Sequence, residues 1–281
     1  MTKNNIILTG VPRSGTTLTC HLLNKLPNTV ALHEPIEFRD TLKFKNYQEL
    51  GDYVELVFAK TRQSILQYKT AISKQVGGQI PDNNFGDEKD EDSGLRINRV
   101  SIGNINITKE LQPDFKLVIK EPSLFTAALP DLIQRFPTYA IIRNPLSVLA
   151  SWNTLPFHIT KGRSLVARLD IELAQGLAQL KDRLDKQIYI LSWFYEKYIF
   201  LPEQFILRYE GIISSQGKDL RVIESQIDTL REQLEDKNIN KIYNRELMLI
   251  LAEKLLNSDG AYWEFYSRES VKLILQRMNG T

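Results

Sequence analysis

Short aliphatic, often β-branched runs alternate along this chain with longer segments whose apolar residues recur every three to four positions. Runs at 5–9, around 29–32, 116–120, 138–142 and 204–208 read as strands, most of them bounded by Gly, Pro, Asn or Asp. Segments at 15–26, from about 46 to 75, 123–136, 145–154 and 165–199 carry the helical period, and the remainder beyond 208 reads as mostly helical. Strands alternating with helices predict a parallel sheet joined by crossover helices, a doubly wound α/β layer system. No internal repeat or low-complexity linker interrupts it, so one domain over 1–281 is expected.

One stretch, about Val76 to Asp114, breaks the alternation. Gly77-Gly78, Pro81-Asp82-Asn83-Asn84 and the acidic run Asp87 to Asp92 predict an exposed, flexible excursion. Within it, Arg96 to Thr108 alternates loosely and predicts a β-hairpin turning near Gly103-Asn104. The excursion reads either as a solvated insertion or as a lid over an acceptor pocket, since long loops in compact domains often cover active sites.

Composition narrows the classes. A formal net charge of +2 gives no reason to expect nucleic acid or a membrane surface as a partner. The single cysteine, Cys20, excludes an intrachain disulfide and any cysteine-based zinc cluster, and is expected on the buried face of the first helix. The most apolar stretch, Ile188 to Leu201, is interrupted by Glu196 and Lys197 and is shorter than the ~20 residues of a membrane span, so it reads as a buried helix. Met1 to Asn5 runs directly into the first strand without room for a signal peptide, and a cytoplasmic location is expected.

The chemistry concentrates in Ile6-Ile7-Leu8-Thr9-Gly10-Val11-Pro12-Arg13-Ser14-Gly15-Thr16-Thr17-Leu18. An aliphatic strand breaks at a glycine, turns through Pro12 and restarts as a helix. The unpartnered amides and positive dipole end of that helix favour an anion. Gly10 and Gly15 have the spacing of a nucleoside-triphosphate loop, but Thr16 stands where that loop carries its lysine, and the cation sits earlier, at Arg13. The segment can hold a phosphate-like group without the usual grip on a magnesium–triphosphate.

These residues resemble the 5′-phosphosulfate loop of sulfotransferases that use 3′-phosphoadenosine 5′-phosphosulfate (PAPS). The arginine form is similar to the tyrosylprotein and many bacterial members. The resemblance implies the P-loop-like sulfotransferase fold with a helical C-terminal part, PAPS as donor, 3′-phosphoadenosine 5′-phosphate (PAP) as product, and no metal. It implies donor contacts from Pro12, Arg13, Ser14, Gly15, Thr16 and Thr17. A second match is Arg143-Asn144-Pro145 followed by Ser151, after the buried-strand pattern Thr138 to Ile142. Asn144 is a good N-cap and Pro145 suits the first helical position. Arg143 and Ser151 resemble the family's 3′-phosphate site, against the plainer reading of a sheet-capping arginine and a polar-face serine. Gln204 to Glu210 resembles a third segment, from which only Tyr209 is carried over as a nucleotide contact; Gly211 stands where the family commonly has Asp.

Sulfuryl transfer needs cations around the sulfonate and a base for the acceptor proton. Arg13 supplies one cation. Lys120, in Lys120-Glu121-Pro122, is the second, by resemblance to the Lys-Asp-Pro of tyrosylprotein enzymes; Pro122 occupies the place of the cytosolic members' histidine base. Glu34 is the candidate base, at the separation from the loop found in the tyrosylprotein enzymes. His33 competes, and adjacent strand residues are expected to point to opposite faces. His158 is expected near the acceptor pocket and His21 packed in the first helix. The acceptor class stays open among small molecules, lipids, sugars and peptides, while the aromatic residues Trp152, Phe157, Trp193, Phe194, Tyr195, Trp263 and Tyr266 could shape its pocket or simply form core. Two other functions stay open as well: a kinase of the P-loop class, and a PAPS-binding module without activity.

Overall fold

The computed structural model describes residues 3–279; Met1 and Thr2 of the segment read as leaderless lie outside the described residues. The chain runs β1 (Asn5–Gly10), α1 (Thr16–Asn24), β2 (Thr29–His33), α2 (Phe38–Thr41), α3 (Tyr47–Tyr68), β3 (Thr70–Gln75), β4 (Phe85–Lys89), β5 (Arg96–Asn98), β6 (Ser101–Asn106) and β7 (Lys116–Lys120). It continues through α4 (Pro122–Ala127), α5 (Leu129–Arg135), β8 (Thr138–Ile142), α6 (Pro145–Trp152), α7 (Ile171–Gln179), α8 (Arg183–Tyr198), β9 (Ile206–Arg208), α9 (Tyr209–Ser214), α10 (Arg245–Leu256) and α11 (Arg268–Asn279).

The five aliphatic runs form one parallel sheet in the order β2-β7-β1-β8-β9. Helices cover both faces, which is why the strands are apolar on both sides rather than alternating. Strand residues divide between two cores. From β8, Tyr139 and Ile141 join the cluster that holds Phe58, Phe115 and Phe125, whereas Ala140 and Ile142 join Trp152, Phe194, Tyr195 and Tyr262. The strand order switches direction around β1, and open α/β sheets bind ligands beyond the carboxyl ends at such a point.

Several sequence expectations are corrected. The helix expected to about 75 stops at Tyr68, where Lys69 adopts a left-handed conformation (φ +54°), and Thr70–Gln75 pairs antiparallel with β6. The expected hairpin turn at Gly103-Asn104 lies instead within β6, opposite Ser73 and Ile72, and the partner of β5 is β4. The excursion therefore holds one ribbon of its own, β4–β5, and supplies β6 to a second ribbon with β3. The stretch 165–199 is divided because Asp170 and Asp182 cap new helices, accepting from Leu173 N and from Leu184 and Asp185 N. Pro130 starts a second helix within 123–136. Beyond β9, residues 230–244 form no helix. Among the described residues no helix is long and apolar enough to cross a membrane.

Candidate active site

The loop after β1 depends on two glycines. At Gly10 (φ +149°) a Cβ would fall 2.3 Å from the Ile141 carbonyl, and at Gly15 (φ +95°), the N-cap of α1, 2.8 Å from the Tyr209 ring. Between them Arg13 takes the left-handed region (φ +74°), a strained conformation for a side-chain-bearing residue. The amides of the first turn of α1 have no acceptor within the helix. Ser14 is turned away, its hydroxyl donating to Ile141 O at 2.6 Å, and the Pro12 carbonyl accepts from the Trp152 indole at 2.8 Å. Arg13 donates through Nε to Ser151 Oγ at 3.3 Å and through its terminal nitrogen to Asn83 Oδ1 at 3.1 Å. Burial lowers the pKa of its guanidinium to about 10, which leaves it charged at neutral pH.

Across the cavity stands a carboxylate between two lysines. Glu34 N–H donates to Lys120 O at 2.8 Å, adding one rung to the β2–β7 ladder and fixing the two residues side by side. Lys120 Nζ lies 2.5 Å from Glu34 Oε1, and Lys74 Nζ binds Oε2. Lys120 also approaches His33 Nδ1 (3.2 Å) and Thr17 Oγ1 (3.4 Å). Asn84 Oδ1 lies 2.7 Å from His33 Nε2. Because that oxygen only accepts, Nε2 carries the ring proton and Nδ1 is left to accept from Lys120. Burial, reinforced by the Lys120 charge, lowers the His33 pKa to about 3, so the ring is neutral.

His33 and Glu34 thus serve one cluster, contrary to the expectation from strand alternation. Glu34 sits just past β2 with φ +46°, so the backbone has left the extended conformation and the two-residue period no longer applies.

Burial by itself would raise the Glu34 pKa, but Lys120 and Lys74 outweigh it and hold the carboxyl well below its usual range. Its neighbour Glu121 behaves oppositely. Burial, then the Glu34 charge, pushes it up to about 8, although Ile36 N–H donates to its Oε1 at 2.9 Å. Burial lowers the Lys120 pKa, with the Glu34 charge opposing it, and three basic side chains (Arg13, Lys74, Lys120) face the ionised Glu34 carboxylate. Together with Pro12, Thr16, Thr17, Asn84 and Glu121 they form the floor of a cavity of about 610 Å³, whose walls include Ile36, Phe38, Leu124, Phe157, His158 and Leu165.

No family model matches the chain, and no curated protein matches its sequence. Sulfotransferases are among the solved structures similar to it. The sulfotransferase domain from the curacin biosynthetic pathway is 15% identical over 99% of this chain and 98% of its own, with a TM-score of 0.40. The sulfotransferase domain of the Synechococcus PCC 7002 olefin synthase is 13% identical over 98% and 94%, with a TM-score of 0.36. Sulfotransferase STF1 from Mycobacterium tuberculosis H37Rv is 15% identical over 100% and 78%, with a TM-score of 0.35.

The remaining sequence-derived residues lie outside the cavity. Arg143 is buried, and its guanidinium donates to Arg13 O (3.0 Å), Asn238 Oδ1 (2.8 Å) and Lys237 O. It stacks 4.4 Å over the Tyr209 ring, whose hydroxyl accepts from Lys237 N at 2.9 Å. Arg13, Ser151 and Arg143 are thus linked, and in this structure the Arg143 guanidinium is held by residues 237–238. His21 Nδ1 lies 2.8 Å from Ile80 O, and Cys20 is fully buried.

Among the polar side chains around the cluster, Lys74, Asn84 and Glu121 on the lining and Asn83 against Arg13 had no role in the sequence reading. Lys74 was hidden by the helical reading of its segment, and the two asparagines by their turn-like context. Glu121 stood in view as the residue after Lys120, and its only signal was a carboxylate in an apolar strand-to-helix junction. Among the described residues no group of three or more His, Cys, Asp or Glu is placed to hold a metal ion.

Proposed function

We propose that this chain is a sulfotransferase using PAPS as donor, with a hydroxyl or amine acceptor and Glu34 as general base. The observation that carries the reading is the gathering of three basic side chains, Arg13, Lys74 and Lys120, at the floor of the cavity, beside the first turn of α1. Such a site accepts an anion with little reorganisation. It fits the phosphosulfate end of PAPS: Arg13, the α1 amides and the Thr16 and Thr17 hydroxyls would hold the 5′-phosphate, and Lys120 the sulfonate. Arg143 and Ser151 would take the 3′-phosphate, its oxygens replacing Lys237 O and Asn238 Oδ1 as acceptors, with Tyr209 alongside the nucleotide. The excursion at 76–114 serves as part of the acceptor wall.

When bound, PAPS supplies a sulfuryl group on a good leaving group: the acceptor oxygen forms a bond to sulfur, the bond from sulfur to the phosphate oxygen breaks with its electron pair leaving on PAP, and the acceptor proton passes to Glu34. The protein's part is charge placement. In the ligand-free cluster both lysines neutralise Glu34 and make it a poor base. A sulfonate within reach of Lys120 competes for that lysine, and the Glu34 carboxylate is released toward the acceptor. His33, held neutral, fixes Lys120 rather than taking the proton itself.

The test is titration calorimetry with PAP, paired with transfer of labelled sulfonate from PAPS to a panel of alcohols, phenols, sugars and peptides. Binding of PAP that is lost in Arg13→Ala, with transfer to at least one acceptor, is the expected result. PAP binding without transfer to any acceptor would favour a non-catalytic module, and magnesium-dependent ATP turnover a kinase.

A further inference from the structure

We propose that the acceptor is an alcohol carried on an aliphatic tail, an inference that rests on the sulfuryl-transfer reading of the same cavity. Above its charged floor the cavity is walled by Ile36, Phe38, Leu124, Val100, Ile102 and Leu165. The charged side chains on the walls, Glu37 and Arg39, pair at 2.7 Å through Arg39 Nε at the exposed rim. The lining also carries Asn98, Ser123, His158 and Ser164, and the hydroxyls of a sugar that reach the six apolar side chains instead would go unpaired, at the cost that such groups carry.

Exposed apolar side chains also stand at the mouth. Pairing of β3 with β6 sets Lys74 directly opposite Ile102, beside the cation that holds Glu34. Two residues before Lys74, on the same face of the ribbon, stands Ile72. Ile102, Ile72 and Leu165 leave 42%, 53% and 40% of their surface exposed. A hydroxyl at Glu34 therefore has an apolar path for its tail: through the cavity and out past Ile102 and Leu165 at its mouth.

The experiment titrates PAP-saturated protein with n-alkanols from butanol to decanol, and with methyl glucoside and tyrosine amide. The association constant should climb by up to about fourfold for each methylene buried and level off once the tail passes the mouth. Ile102→Asp and Leu165→Asp should flatten that climb, with PAP affinity as the check on folding. If PAP binds but butanol and decanol bind alike, or if the glucoside or tyrosine amide binds more tightly than decanol, the proposal is overturned and the donor reading stands. If PAP itself fails to bind, the donor reading falls and takes this proposal with it.

Discussion

Asn84 is the most informative single position to perturb. Its Oδ1 is the partner of His33 Nε2, and that bond determines which ring nitrogen is free to receive Lys120. In Asn84→Ala the buried Nε2–H loses its acceptor, at a cost of about 1–3 kcal/mol. With roughly 2–4 °C of melting temperature per kcal/mol for a domain approaching this size, Asn84→Ala should melt well below the wild type. The ring can recover by moving its proton to Nδ1, but it then points a donor at the Lys120 ammonium. Either way Lys120 is displaced. If the same 1–3 kcal/mol is lost from transition-state positioning, turnover falls by about 5- to 150-fold. Asn84→Asp keeps an acceptor for Nε2–H and adds a negative charge, which should restore much of the melting temperature and raise the His33 pKa from its depressed value near 3. Melting curves, single-turnover transfer from PAPS and imidazole nitrogen shifts by NMR provide the three readouts. An Asn84→Ala protein with wild-type melting, turnover and His33 tautomer would refute the positioning chain from Asn84 through His33 to Lys120.

Other outcomes follow from the same cluster. Arg13→Ala removes a buried cation from the loop and should weaken PAP binding by about 10- to 150-fold, the worth of a charged hydrogen bond, measured by calorimetry. Glu121 has a folded pKa near 8, raised from 4.5, so the folded state holds a proton that the unfolded chain has released. Its contribution to stability is full below pH 4.5 and is lost as pH rises through 8. Glu121→Gln should therefore gain melting temperature relative to wild type as pH rises over that window, and the two curves should run parallel below it. The same ionisation places a second negative charge beside Glu34, so wild-type turnover should decline above about pH 8 while Glu121→Gln holds its plateau.

Much of the sheet was legible because parallel strands buried on both faces leave continuous aliphatic runs, as in Thr138–Ile142 and Lys116–Lys120. The loop was legible for a different reason: Gly10 and Gly15 occupy backbone positions that no larger residue could take without colliding with Ile141 or Tyr209. What escaped notice was non-local. Lys74 reaches Glu34 only because β3 pairs with β6, a partnership between segments about thirty residues apart that no local period encodes. Asn83 and Asn84 read as turn formers, and their partners, Arg13 and His33, lie 70 and 51 residues away in sequence. The misplaced hairpin has the same origin, since Gly103 looked like a turn but pairs within a strand. Strand alternation separated His33 from Glu34 because a single left-handed residue at the end of β2 leaves no mark in the residue pattern.

The account turns on Glu34 as the acceptor of the substrate proton, and the most direct measurement compares wild type with Glu34→Gln for single-turnover transfer from PAPS together with PAP affinity. The amide keeps the shape of the side chain but cannot take a proton, so transfer should fall by about 10²–10⁴-fold while PAP binds as before. Transfer at the wild-type rate by Glu34→Gln would contradict the assignment outright.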